Sequence, residues 1–350
     1  MTTLLARRPD AATTRSYADF GRPLWRRALF NREMAIIALL AAVLVVASAI
    51  VPKFATPVTM GYLLFDITPI LLIALAMAPV MITGDIDLSV GSMVGLSSVL
   101  LGLCSQAGLP IPVAALVALF FGAFGGLVNG LLVTRVGLPA LAVTIGTLAL
   151  YRGVAVGLLG TTAITQFDKW WTALIKSKIG TTGIPTVMIL FVVLLAAFVV
   201  MLHFTPFGRG IFAIGLSKDA AVFSGVNVDR TRQILFVLSG LMAALAGIYY
   251  ALYYNSARGD NATGMELQVI AAVVLGGVSV FGGRGALHGV VAGVLLIGVL
   301  SKALQLVNIT SDVVSIITGV LLVLSVIAGS LLTWAQAKRV RPAAAPPKTS

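Results

Sequence analysis

The sequence has few charged residues for its length. Only 10% of its 350 residues are Asp, Glu, Lys or Arg, whereas a soluble domain carries about 25%. Hydrophobic residues make up 59% of the chain. Lipid is therefore the expected solvent for most of the chain, and the water-soluble globular class is excluded.

Cysteine and histidine are also scarce. Cys104 is the single cysteine, which excludes an internal disulfide and a multi-cysteine metal site. His203 and His288 are far apart, and no H-E-x-x-H motif is present. We therefore expect that this chain binds no metal and no cofactor of its own.

Two kinds of catalytic motif are missing as well. No nucleophile–base arrangement stands out, so the chain is not expected to be an enzyme. The nearest approach to the phosphate-binding motif G-x-x-x-x-G-K-[ST] is Gly210 to Gly215, and Leu216 follows it. The chain therefore has no phosphate-binding loop with which to bind ATP itself.

The charge that is present is mostly basic, with a formal net charge of +12. In a membrane protein, basic residues mark the cytoplasmic ends of spans and contact anionic lipid. No basic, aromatic-interleaved surface segment of the kind that binds nucleic acid occurs. The lipid bilayer, and not nucleic acid, is the expected partner of this charge.

Apolar runs long enough to cross a bilayer, about 17 to 25 residues, recur along the chain. They predict an all-α, polytopic membrane domain over 34–334, between a basic tail (1–33) and a disordered tail (335–350). The first apolar run is longer than the hydrophobic region of a signal peptide, and we interpret it as a signal anchor. About ten spans are predicted near 34–51, 62–82, 88–104, 111–134, 138–159, 184–205, 234–254, 267–281, 286–306 and 312–333.

The distribution of Lys and Arg predicts the orientation. With the N-terminus inside, 17 of the 24 Lys and Arg residues lie in inside tails and connections, five outside and two within spans. Cytoplasmic connections carry such an excess. Both termini are therefore expected in the cytoplasm. Of the longer connections, 160–183 lies outside, where Trp170 and Trp171 indicate a short interfacial helix.

Two carboxylates, Asp85 and Asp87, lie between the second and third spans in the segment Thr83–Ser92. Intramembrane carboxylates indicate a functional site, and broken helices are tolerated where they line a cavity. The alternative is that Asp87 or Ser89 simply caps the third helix. Both interpretations stay open on the sequence.

Further polar residues occur in the fourth and fifth spans. Thr144 and Thr147 share one helical face, with Arg152 about a turn beyond them. Together with Asn129, these residues are candidates to line a pathway. For Arg152 we favour a structural ion pair or snorkelling toward the outer interface.

The inside connection 206–233 is unusually apolar for a loop. Ser217 is placed to cap a short helix over Lys218–Phe223 that Gly225 ends. A solvated connector has no need for residues such as Phe207, Phe212 and Phe223. We therefore predict that this segment docks in a groove of another protein.

Several of these segments together resemble one family, the permeases of bacterial ABC importers for sugars (the ribose/xylose/rhamnose group). The resemblance covers nearly all of 34–330. It rests on six ordered motifs: GDIDLSVGS at 84–92, VNGLLV at 128–133, LAVTIGTLALYRGVA at 141–155, TPFGRGIFAIGLSKDAAVFSGVNV at 205–228, LAGI at 245–248 and MELQVIAAVVLGGVSVFGGRG at 265–285.

The resemblance implies a ten-helix ABC importer permease in the bacterial inner membrane. It implies three partners: an ATPase subunit, usually duplicated, that hydrolyses the ATP; an extracytoplasmic sugar-binding protein; and a second permease copy or paralogue. By the same resemblance, the segment 206–228 docks on the ATPase. The docking residues carried over are Gly208, Arg209, Gly215, Lys218, Asp219, Ala220, Gly225 and Val226.

Cargo is indicated less directly. Asp85 stands where the family usually has glycine, so the resemblance gives little support for a substrate role at this position. The segment Ser256–Asp260 and the GGRG turn are closer to rhamnose-type or autoinducer-2-type members. The sequence-level pathway candidates are Asp85, Asp87, Ser89, Asn129, Thr144, Thr147 and Arg152.

The competing hypothesis is an ion-coupled secondary transporter. Such a protein needs relay residues deep in several spans. Asp66 and Lys302, with Asp85, Asp87 and Arg152, are the candidates here. That hypothesis gives no reason for the apolar inside connection, so the ABC permease is preferred.

Overall fold

The structure, a computed structural model, describes residues 32–310 together with residues 313, 314, 316, 317, 319, 320, 323 and 327. The two predicted tails lie outside these residues, apart from the start of the first helix, as does most of the predicted span 312–333. Within residues 32–310 the helices are α1 (Arg32–Ile50), α2 (Pro57–Ile82), α3 (Val90–Gln106), α4 (Ile111–Thr134), α5 (Ala140–Leu159), α6 (Lys169–Lys176), α7 (Val187–Phe204), α8 (Pro206–Leu216), α9 (Lys218–Phe223), α10 (Val228–Tyr254), α11 (Met265–Leu275) and α12 (Leu287–Leu306).

Seven of these helices are long and apolar enough to cross a membrane: α1, α2, α4, α5, α7, α10 and α12. Helices α3 and α11 are apolar but shorter. The all-helical membrane class is therefore confirmed in the described part of the chain, where the only β pairing is two isolated bridges, Ile164–Ala257 and Lys178–Pro185. The tenth span and the orientation of the termini stay predictions.

Helices α2 and α10 form the centre of the bundle. Helix α10 contacts α2, α3 and α4, while α2 also contacts α7, α11 and α12. Consecutive residues of α2 from Ile70 to Ile82 are all buried, because other helices surround it. By contrast, large apolar side chains of α4, α5 and α7 such as Phe120, Ile145 and Val193 are exposed, as expected of helices that face lipid.

Glycines bring the backbones of α4 and α10 into direct contact. A Cβ on Gly126 would meet the carbonyl oxygen of Phe236, and a Cβ on Gly240 would meet that of Gly122. Small residues at such crossings let helices approach closely, which is a main source of packing energy between helices in lipid. No side chain lies between the two helices at these points.

The predicted inside connection 206–233 is largely helical. Thr205 begins α8, since its hydroxyl accepts a hydrogen bond from Gly208 N at 3.1 Å and Pro206 is suited to the first helical position. Helix α10 begins at Val228, ahead of the predicted span 234–254. Asn227 accepts there from Arg230 N at 2.9 Å, which satisfies one of the free N–H groups of the first turn.

Two short helices confirm local predictions. Ser217 begins α9 by accepting from Ala220 N at 3.3 Å, and Gly225 follows the helix with a φ of +80°. Helix α6 holds Trp170 and Trp171, and the Asp168 carboxylate caps it by accepting from Trp170 N at 2.7 Å.

Candidate functional site

The connection between α2 and α3 carries two buried carboxylates. Gly84 ends α2 with a φ of +85°, a conformation that favours glycine. Asp85 is 5% exposed and Asp87 is 1% exposed. A buried carboxylate is stable only with hydrogen bonds or a cation beside it, and the structure gives each of the two a different partner.

Asp85 forms an ion pair with Arg232 of α10. The Nε and Nη2 atoms of Arg232 donate to Oδ2 and Oδ1 of Asp85 at 2.6 and 2.7 Å. This two-point geometry is the strongest form of an arginine–carboxylate pair. It fixes the connection to the second turn of α10.

Asp87 is held by hydroxyl groups. It accepts from Ser89 N at 3.0 Å, from Ser89 Oγ at 2.6 Å and from Ser239 Oγ at 2.7 Å. These bonds come from the residue that precedes α3 and from the middle of α10. The carboxyl is therefore a buried anchor between α3 and α10.

The hydrogen-bonded cluster continues into α4 and α5. Asn129 Nδ2 donates to Ser89 Oγ at 2.9 Å. The Tyr151 hydroxyl donates to the carbonyl oxygen of Gly125 at 2.9 Å and lies 3.5 Å from Asn129 Oδ1. Three of the predicted pathway residues, Asp87, Ser89 and Asn129, thus meet in one buried polar cluster.

The two threonines of α5 lie beside this cluster. Thr144 Oγ1 donates to the carbonyl oxygen of Ile86 at 3.1 Å, so it binds the connection itself. Thr147 Oγ1 donates to Val143 O at 3.1 Å within its own helix. Thr144 therefore helps to hold the broken segment, whereas Thr147 satisfies its hydroxyl locally.

Arg152 lies away from the cluster, toward the predicted outer side. Its guanidinium donates to the carbonyl oxygens of Gly259 at 2.8 Å, Asn261 at 2.6 Å and Gly91 at 3.2 Å. Gly95 leaves room for it, because a Cβ there would lie 2.6 Å from Arg152 Nη1. Arg152 thereby fastens the connection 255–264 to α3 through backbone carbonyls.

The capping interpretation of the connection is met in a modified form. Ser89 occupies the position before α3, yet its hydroxyl makes no bond to the N–H groups of the helix. Instead, the Asp87 carboxylate accepts a hydrogen bond from the N–H of Ser89, the residue just before α3. The carboxylate organises the start of α3 and at the same time reaches Ser239, so capping and long-range bonding occur together.

Arg232 and Ser239 are the partners that the sequence did not identify. They are seven residues apart on α10, which places them on one helical face. That face meets two carboxylates that are themselves two residues apart. The seven-residue spacing of Arg232 and Ser239, together with the two carboxylates of the connection, could have indicated this pairing.

The predicted docking segment forms a corner below this connection. The buried residues of α8, such as Ile211 and Ile214, face the bundle. Of the predicted docking residues, Arg209, Lys218, Asp219, Ala220 and Gly225 are exposed, Gly215 and Val226 are half-buried, and Gly208 is buried.

Gly215 joins this corner to the connection after α2. A Cβ at Gly215 would meet the carbonyl oxygen of Ile82 and the backbone N of Gly283. Gly283 N in turn donates to Ile82 O at 2.8 Å. The docking corner, the 282–285 turn and the end of α2 therefore touch through backbone atoms.

Large apolar side chains around this corner point outward. Phe223 is 91% exposed, Phe281 82%, Leu216 73% and Val222 58%. Apolar surface of this size beside charged residues is typical of a protein-binding face. The geometry supplies what the sequence predicted for the segment, a short capped helix with its apolar side unoccupied.

Comparison with known proteins adds a family. Residues 59–326 match the family model described as branched-chain amino acid transport system / permease component. The chain is 35% identical over 312 residues to the autoinducer 2 import system permease protein LsrD of Escherichia coli SMS-3-5, covering 87% of this chain and 94% of that protein. LsrD of Escherichia coli O157:H7 and of Shigella flexneri show the same identity and coverage. No solved structure matches the chain.

Proposed function

This chain belongs to the family of branched-chain amino acid transport system / permease components, and we propose that it carries a small sugar-type solute inward across the membrane. It is a multi-pass permease subunit of an ABC importer, not an enzyme. The relatives named as LsrD make autoinducer 2 the first cargo to test. A monosaccharide, such as the deoxyhexose rhamnose, is the second.

The exposed apolar corner of α8 and α9 carries this proposal. A permease driven by ATP needs a face through which a separate ATPase moves it, since this sequence has no phosphate-binding loop. Helix α9 presents Phe223 and Val222 outward, and Gly215 joins the corner to the carboxylate connection. We propose that the ATPase, as a duplicated subunit, docks here.

The remaining partners follow from the same assignment. A binding protein delivers the solute on the outside, and a second permease copy or paralogue completes the transmembrane pathway. The chain binds no cofactor under this proposal, and ATP is hydrolysed by the partner. The location is the bacterial inner membrane.

We propose that the inner end of the pathway is the cavity beside the ion pair. This cavity, of about 520 Å³, is lined by Asp85, Arg232, Lys218 and residues of the 133–141 segment. It lies between the carboxylate connection and the docking corner. Asp87, Ser89, Asn129 and Thr144 hold its wall in place, with Thr147 on the same helix as Thr144, and Arg152 holds the outer connection.

The test is uptake into vesicles that contain the permease pair, the binding protein and the ATPase. We expect uptake of labelled autoinducer 2 or rhamnose that requires ATP and stops when the ATPase subunit is deleted. Uptake that persists without the ATPase and follows an ion gradient would support the secondary transporter instead.

A further inference from the structure

A second polar cavity lies beside the middle of α2 and the C-terminal end of α10, away from the ion pair. It has a volume of about 460 Å³, within the range of about 300–1,000 Å³ that is usual for small-molecule sites. Its walls come from α2, the end of α10, the connection 255–264 and the first turn of α11. The lining residues used below are Asp66, Tyr250, Tyr254, Asp260, Asn261 and Gln268.

Aromatic rings form one wall. Tyr250 and Tyr254 lie with ring centroids 4.5 Å apart, and Tyr253 stacks on Phe65 at 5.0 Å behind them. A tyrosine offers an apolar ring face and a polar hydroxyl at once. A solute with both C–H faces and hydroxyl groups matches such a wall.

The charged groups of the cavity are already paired within the chain. Lys302 Nζ donates to Asp66 Oδ2 at 2.9 Å, and Arg258 donates to both oxygens of Asp260 at 2.8 Å. The Arg258 guanidinium also holds the pKa of Asp260 below its ordinary value. With each carboxylate matched by a cation, the cavity favours an uncharged solute over an ion.

The amides give the cavity its free hydrogen-bonding capacity. Asn261 is fixed, because its Nδ2 donates to Ser98 Oγ at 3.3 Å and to Ser256 O at 3.1 Å. Within residues 32–310, the Gln268 side chain has no hydrogen-bond partner. An amide has both donors and an acceptor, which suits an alcohol group that also donates and accepts.

We propose that this cavity is the entry subsite for an uncharged polyhydroxylated solute. In this subsite Gln268 binds one hydroxyl, the carboxylates of Asp66 and Asp260 accept from others, and the ring of Tyr254 packs against a C–H face. The proposal rests on the proposed function, since the cargo must reach this chain from outside. It adds residues that contact the cargo to the assignment of the permease.

The first experiment measures ATP-dependent uptake by the complete transporter in vesicles. The probes are labelled autoinducer 2, rhamnose and ribose, and the variants are Gln268→Ala and its control Gln166→Ala. Gln166 is exposed in the connection before α6, outside the cavity. We expect Gln268→Ala to lower kcat/KM about three- to tenfold, the range for one neutral hydrogen bond, and Gln166→Ala to leave kcat/KM unchanged.

The second experiment needs no transport. In a Cys104→Ala background, which removes the only cysteine, Gln268→Cys is labelled with a membrane-impermeant thiol reagent. We expect the imported solute to slow labelling of Gln268→Cys and to leave Gln166→Cys unaffected. This labelling measurement still tests the entry subsite if the Gln268→Ala permease assembles poorly with the other subunits.

The outcomes separate the two proposals. Uptake by the wild type with unchanged kcat/KM in Gln268→Ala, or labelling of Gln268→Cys at the same rate with and without solute, would overturn the subsite and leave the permease function standing. A wild type that takes up none of the three probes with ATP contradicts the proposed function, and the subsite falls with it.

Discussion

The guanidinium of Arg232 donates hydrogen bonds to both carboxylate oxygens of Asp85, at 2.6 and 2.7 Å. This ion pair joins α10 to the connection between α2 and α3, and Arg232 lies nine residues after Phe223, the last residue of α9. The ion pair therefore lies between the proposed ATPase-docking corner and the buried cluster around Asp87. A displacement of α9 can therefore reach the connection between α2 and α3 through α10 and the Arg232–Asp85 ion pair.

Loss of one partner of this pair should destabilise the protein. In Asp85→Ala, Arg232 is left unpaired at 11% exposure, and removal of one member of a buried pair costs about 3–5 kcal/mol. We expect a clear fall of Tm in detergent, and a smaller fall in Asp85→Ala combined with Arg232→Ala than the sum of the single variants.

Arg258→Gln provides the control for that experiment. Its pair with Asp260 is exposed, with side chains 49% and 60% accessible, and solvent screens such a pair so that it adds little to stability. Equal falls of Tm in Arg258→Gln and Asp85→Ala would show that the Asp85 pair contributes no more to stability than an exposed ion pair.

The effect of replacing Asp87 should depend on whether the new side chain can hydrogen-bond to Ser89 and Ser239. Asp87→Ala leaves the buried Ser89 and Ser239 hydroxyls without an acceptor, at about 1–3 kcal/mol for each group. Asp87→Asn retains one acceptor and offers a donor that a serine oxygen can accept. We expect a lower Tm for the alanine variant, and near-normal uptake for the asparagine variant. Uptake lost in Asp87→Asn at an unchanged Tm would instead show that the charge acts on the cargo.

Gly215→Ala should disturb the docking corner. The new Cβ would collide with backbone atoms of Ile82 and Gly283, which cannot move aside as a flexible side chain can. We expect reduced ATP-driven uptake and a lower Tm. The control is Gly146→Ala in α5, where a Cβ meets no atom of the described chain within 4 Å. Similar behaviour of the two variants would contradict the close contact at the corner.

Substitutions on the exposed face of α9 should weaken ATPase association without unfolding the spans. Asp219→Lys and Gly225→Arg change the charge and shape of the corner, while both residues are exposed. We expect less ATPase to co-purify with either variant. Tm should be unchanged for Asp219→Lys and slightly lower for Gly225→Arg, because Gly225 has a φ of +80° that favours glycine. Lys176→Glu, an exposed charge reversal on the predicted outer side, is the control. Normal co-purification of both α9 variants would remove the docking assignment.

Local features of the fold were predictable because they depend on neighbouring residues. Ser217 and Gly225 bound α9 through cap geometry and a positive φ, both of which are properties of short segments. Long apolar runs likewise predict the helices that face lipid. Helix α8 was missed because its apolar residues were interpreted as a loop that docks, although Thr205-Pro206 is a helix-start signal.

The candidate site depended on contacts between distant residues. Asp85 and Arg232 are 147 positions apart, and Asp87 and Ser239 are 152 apart. Periodicity places a residue on a face of its own helix but does not state which helix that face meets. The sequence therefore identified the carboxylates, Ser89 and Asn129, while their partners on α10 emerged only from the packing.

The glycine crossing of α4 and α10 bears on how this protein moves. Helices separated by interlocking side chains shift past each other when rotamers change, whereas Gly122, Gly126 and Gly240 place main chain directly on main chain. There is no intervening layer to rearrange, so α4 and α10 act as a fixed frame. Under the proposed function, the movement that opens the pathway then has to arise in the helices that lack such backbone contacts. Spectroscopic labels on α4 and α10 should keep one separation throughout the ATP cycle.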